Sequence, residues 1–145
     1  MSGLKTIFRT SLTASDTSAV DTLGDIRQEQ FKRYKYVKFT GATLIGKAVK
    51  YADLAGYKAS EVAESATQAL IVAGVALATQ AANDFGWIQL TGLVTMASNV
   101  AGTPIIQTDV TGDNALGDLT KAVTLMQRVG ISVDALKEVL LMCPD

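Results

Sequence analysis

Acid–base and metal chemistry near neutral pH leans on histidine, and this chain of 145 residues contains none. Its single cysteine, Cys143, allows no intrachain disulfide, no cysteine-based zinc site within one chain and no Cys–His nucleophile. Cys143 follows an apolar, strand-like run, which predicts a buried structural thiol. Serine and threonine are plentiful, but no G-x-S-x-G elbow marks one as activated. Glu61 and Glu64 are near neighbours, yet they lie in a polar run with Ser60 and Ser65, where ionised surface carboxylates are the ordinary outcome. Gly41, Gly46 and Lys47 fall in the spacing of a phosphate-binding loop. Ala48 then stands where a magnesium-binding hydroxyl belongs, so the match is coincidental. Asp109, Asp113 and Asp118 surround a turn without the spacing, or the closing glutamate, of a twelve-residue calcium loop. The expectation is a protein that is not an enzyme and holds no cofactor and no metal.

Charge is the next source of chemistry. The net charge is −1, but residues 27–38 carry +4 and the remainder −5. The positive stretch reads "FKRYKYVKF" from Phe31 to Phe39, with cations and aromatic rings interleaved. A single-strand nucleic-acid platform sets exposed rings beside cations. In a strand, however, residues two apart share a face. Tyr34, Tyr36 and Lys38 then lie opposite Arg33, Lys35, Val37 and Phe39. Two arrangements reconcile this pattern with a core. A bulge near Tyr36 turns the tyrosines inward and the cations outward, with Val37 and Phe39 brought back to the core. Otherwise both faces are covered, one by the protein's own barrel and one by a partner. The first is the preferred reading. The basic strand is expected to meet an acidic protein surface, with no direct nucleic-acid contact.

The elements that would position these residues divide into an arm and a body. Residues 1–23 are rich in Ser and Thr, with Leu4, Ile7, Phe8, Leu12 and Val20 scattered among them. They are too few to build a core, and predict an extended arm that orders against a neighbour. Residues 24–145 form one β-rich domain. Eleven of the twelve glycines fall there and punctuate short apolar segments, the signature of a small β-barrel or sandwich with at most one short helix. "GDIRQEQ" and "RYKYVKF" predict a hairpin around Phe31-Lys32. "GKAVKYA", "GWIQLTGLVTM", "TPIIQT", "AVTLMQRVGISVD" and "EVLLMC" predict further strands, with Trp87 in the core. The alanine-rich Ser60–Asp84 segment is read as a strand around Leu70–Ala78 after a loop or short helical turn at Glu61–Ala66. "VTGDNALG", Val110–Gly117, is read as a loop.

The longest apolar run, Ala69–Ala78, is far shorter than the roughly 20 residues of a spanning helix. With no signal-peptide pattern at the start, a soluble protein made in a cytoplasm, with no membrane partner, is expected.

Taken in order, "LGDIRQEQFKRYKYVKFTGAT", "GKAVKYA", "VAGVALA", "FGWIQLTGLVTM" and "VLLMCPD" resemble the head decoration (capsid cement) proteins of tailed bacteriophages. The resemblance covers roughly residues 23–145, and the alanine-rich 60–84 segment departs from it. It implies a structural virion protein on the outer capsid surface, made in the host bacterial cytoplasm. Its partners would be the major capsid protein and further copies of itself, a trimer first among the oligomers. Its work would be to hold the shell against the pressure of packaged DNA. On that reading Leu4, Ile7, Phe8 and Leu12 are the arm's anchors, and Arg27, Lys32, Arg33 and Lys35 supply electrostatic contacts. Two other functions fit the same sequence: another virion part (tail, baseplate or head fibre), or a single-stranded nucleic-acid-binding barrel.

Overall fold

In a computed structural model of the chain, the residues described are 8–53, 55–61, 72–97, 109–112, 119–121, 130–132 and 138–143. Among them are ten strands and no helix, so the all-β expectation holds. The first hairpin is β1 (Ile26–Glu29) and β2 (Lys32–Phe39), turned through Gln30 and Phe31, with Gln30 at positive φ. Then come β3 (Ala48–Tyr51), β4 (Lys58–Glu61), β5 (Val72–Ala76) and the long β6 (Phe85–Thr95). Pairing runs β2–β4–β3–β5–β6 and returns from β6 to β2, which closes a five-stranded barrel. Every pair in the ring is antiparallel except β2–β4. Closure removes the sheet edges that an open β-structure must otherwise protect.

Alternation sorts the side chains of the barrel wall. Val37, Phe39, Val49, Ala59, Ala73, Ala76, Ile88 and Leu90 pack together inside the ring, with Tyr51 against them. Alanines suit so narrow an interior, and each large side chain buried there contributes about 1.5–3 kcal/mol. β5 and β6 approach so closely at Gly74 that a Cβ there would stand 2.5 Å from the Gln89 carbonyl oxygen, so only glycine fits.

β6 outruns the barrel. Its second half pairs with β10 (Glu138–Met142), and β9 (Gly130–Ser132), β7 (Asp109–Gly112) and β8 (Leu119–Lys121) extend the sheet from there. Val94, Met96, Val139, Leu141 and Cys143 form a second core with Ala48, Val72 and Val75. Ala48 and Val75 face it from the side of the wall opposite Val49 and Ala76. Cys143 is buried in it, and loss of solvation pushes its thiol up to about 12.

The sequence reading needs three corrections. The tyrosines of β2 do not point into the barrel: Tyr34 and Tyr36 lie outside the wall, and Val37 and Phe39 lie inside. The register shift falls between Arg33 and Tyr34, not near Tyr36, because the extra residue belongs to β6 at Leu90. Val110–Gly112 are strand rather than loop, since they pair with β8 and β9. β4 had no expectation of its own, and β5 falls inside the expected Leu70–Ala78. "TPIIQT", Glu64, Asp113 and Asp118 lie outside the described residues.

Candidate interaction surfaces

Tyr34, Tyr36 and Trp87 make an aromatic face on the outside of the barrel, and the N-terminal segment covers it. Phe8 and Leu12 pack there with Leu23, Leu77 and Phe85. The Phe8 ring meets Trp87 edge-on, with centroids 5.2 Å apart and planes at 85°, the geometry that aromatic quadrupoles favour. Tyr36 leans on Trp87 as well, with centroids 5.1 Å apart and planes at 56°. Residues 8–23 therefore form a strap across their own barrel.

Polar contacts fix the strap. Asp16 and Phe85 exchange backbone hydrogen bonds of 2.9 and 2.8 Å in an isolated bridge. The Tyr36 hydroxyl donates to the Asp16 carboxylate at 3.1 Å and accepts the Val20 N–H at 3.3 Å. Burial, with the Asp16 contact adding to it, pushes that hydroxyl up to about 12. Tyr34 is raised as well, chiefly by burial. Gln80 donates from Nε2 to the Ala14 carbonyl at 3.0 Å, and the Asp21 carboxylate accepts the N–H groups of Arg9 and Thr10. Ser15 donates to Asp84 at 2.8 Å. The Trp87 indole N–H is buried with no hydrogen-bond partner.

The cations singled out in the sequence are dispersed rather than gathered. Arg27 pairs with Glu29 on its own strand. Its guanidinium also reaches the Thr10 carbonyl and stands 5.4 Å from the Phe8 ring centroid and 5.9 Å from that of Trp87. Lys35 is 8% exposed on the barrel-side face of β2. Its Nζ donates to the Tyr51 hydroxyl at 3.2 Å and lies over the Tyr51 ring. Lys32 and Arg33 are half-buried at the hairpin end. Leu4 and Ile7 lie outside the described residues. Each of these placements follows from register: alternation puts Lys35 on the barrel side with Val37 and Phe39, and the β1–β2 pairing sets Arg27 opposite Tyr34.

Several surface features had no counterpart in the sequence reading. Phe31, in the hairpin turn, is 94% exposed. Leu93, Leu140 and Met142 are also open to solvent, on the side of β6 and β10 opposite the second core. A phenylalanine in a two-residue loop is a sequence signal for the first. The leucines gave none, because they stand inside apolar runs that read as covered on both faces. Asp16 and Asp21 were hidden among the serines and threonines of the arm. Among the described residues no group of histidine, cysteine, aspartate or glutamate side chains is placed to hold a metal ion. No helix there is long and apolar enough to cross a membrane.

The chain is similar to the head fibre gp8.5 N base of bacteriophage phi29, a crystal structure that superposes with a TM-score of 0.48 at 13% identity, over 74% of this chain and 92% of that one. No protein-family model and no curated protein matches the chain.

Proposed function

We propose that the protein is a structural component of a tailed-phage virion that binds the outer surface of the capsid shell and holds it against internal pressure. The observation that carries this reading is the strap. Phe8 and Leu12 are packed on the barrel, so the chain ahead of Phe8, with Leu4 and Ile7, leaves from a fixed point beside Arg27 and Trp87. A short apolar-studded segment tethered to a closed barrel suits addition to a partner's sheet edge or groove. Each aliphatic side chain buried by the partner contributes about 1.5–3 kcal/mol. One such segment binds weakly, and several copies in one oligomer raise the effective concentration enough for lasting attachment. The acidic remainder of the chain, at −5, keeps free copies apart before assembly.

Stacking of nucleobases on the β2 tyrosines has less support, because Tyr34 and Tyr36 lie beneath the strap.

The test is deletion of residues 2–7 alone, with the strap left whole. The shortened chain should keep its fold by circular dichroism and lose binding to purified phage capsids in a co-sedimentation assay. If it decorates capsids as well as the full chain, the leading segment is not the attachment device. Labelling the protein on virions for electron microscopy separates a place on the shell from one on a tail, baseplate or fibre.

A further inference from the structure

Past the bulge at Leu90, the side of β6 that faces the barrel interior continues into a stripe with opposite charges at its ends. Register fixes its rows. Thr91 stands between Arg33 of β2 and Met142 of β10. Two residues on, Leu93 pairs with Leu140, and two further on, Thr95 pairs with Glu138. Directly paired residues project from the same side of a sheet. The opposite side of this ribbon is occupied, since Val94, Val139 and Leu141 are in the second core. Leu93, Leu140 and Met142 thus sit in water at 41–49% exposure between an arginine at one end and a glutamate at the other. Arg33 and Glu138 also make interactions within their own chain. The turn that carries Phe31 lies against Gly92, beside the arginine end: a Cβ at Gly92 would be 3.2 Å from the Phe31 carbonyl oxygen.

We propose that this stripe binds a second copy of the chain across a two-fold axis. An isologous contact needs a self-complementary patch. Rotation about an axis through the Leu93–Leu140 row brings the Arg33 end of one copy to the Glu138 end of the other, and sets leucine against leucine in the middle. A three-fold arrangement with the stripes side by side sets like charges level, so the layout favours pairs over the trimer that the family resemblance implies. With Phe31, the stripe exposes on the order of 400 Å² of apolar surface, the size of the largest patch on a typical monomer. A standard interface takes about 800 Å² from each partner, so this apolar centre with a polar rim supports a reversible, micromolar dimer. The inference is independent of capsid binding and is tested without capsids.

The measurement is sedimentation equilibrium of the full chain over a range of micromolar concentrations. The expected mass is that of two copies, and Leu140→Lys should give a folded monomer. Arg33→Glu and Glu138→Arg should each weaken association at least tenfold, and the double exchange R33E/E138R should restore it. A structural role for either residue would not produce that restoration. A monomeric wild type, a mass of three copies, an unchanged L140K variant or a double exchange no better than the single changes would each overturn the proposal.

Discussion

Two phenylalanines should respond very differently to truncation. Phe8 is half-buried, edge-on to Trp87 and beneath the Arg27 guanidinium. Phe31 is 94% exposed in a turn. A fully buried phenylalanine costs about 3–5 kcal/mol when cut to alanine, so a half-buried one costs about 2 kcal/mol. The edge contact adds about 0.5–1 kcal/mol. Water reaching the unpartnered Trp87 indole N–H offsets about 1 kcal/mol. The net expectation for Phe8→Ala is a loss of about 2 kcal/mol, or about 7 °C in Tm for a chain of this length. Phe31→Ala should change stability by less than about 0.5 kcal/mol.

Trp87 is the chain's one tryptophan, so its fluorescence reports on the strap directly. In urea titrations the Phe8→Ala protein should show a lower midpoint and a red-shifted native emission, because water now reaches the ring. The Phe31→Ala protein should match the wild type in both. If Phe8→Ala leaves both emission and midpoint unchanged, residues 8–23 are not held on the aromatic face, and the account of the strap fails.

Two further outcomes follow from close packing and from buried ionisable groups. Gly74→Ala drives a Cβ against the Gln89 carbonyl and should cost at least about 2 kcal/mol in thermal melts, whereas Gly41→Ala meets nothing within 4 Å and should be neutral. The Tyr36 hydroxyl is raised from 10.0 to about 12, so the fold favours its neutral form. That stabilisation is full below pH 10 and is lost as pH rises from 10 towards 12. Cys143 shifts in the same direction from 9.0, so the comparison belongs in a Cys143→Ala background. There Tyr36→Phe should flatten the fall of the urea midpoint between pH 10 and 12, and equal slopes with and without the substitution would refute the assignment.

The barrel was legible because its strands announce themselves locally. Val49 and Tyr51 alternate with Ala48 and Lys50, and Ile88 and Leu90 alternate with Trp87 and Gln89, between glycines that end each segment. What alternation left open was which side is covered by what. On β2 both sides are covered: alternation sets the tyrosines opposite Val37 and Phe39, and a bulge near Tyr36, expected to turn all four inward, is absent, so the tyrosines lie under the strap. A tyrosine is buried equally well by either, and alternation along β2 does not say that residues 8–23 fold back over the second face. The dispersal of the cations has the same origin. A net charge counted along the chain treats Arg27, Lys32, Arg33 and Lys35 as one patch. Folding pairs Arg27 with Glu29 and lays Lys35 against Tyr51.

β6 shows how one strand can serve several surfaces. Its inner residues, Ile88 and Leu90, hold the barrel. Trp87, outside the wall, lies under the chain's own strap; past the bulge, on the opposite side, Thr91 lies between Arg33 and Met142 and Leu93 stands in water. The proposed contact between copies belongs to the half of β6 that outruns the barrel. The same apolar face that closes a core in the first half becomes an uncovered stripe in the second, because the pairing of β6 with β2 stops at Thr91 and Arg33. The stripe thus stands apart from both the barrel core and the strap. For that reason stability of the fold and association of copies should separate cleanly in mutants such as Leu140→Lys.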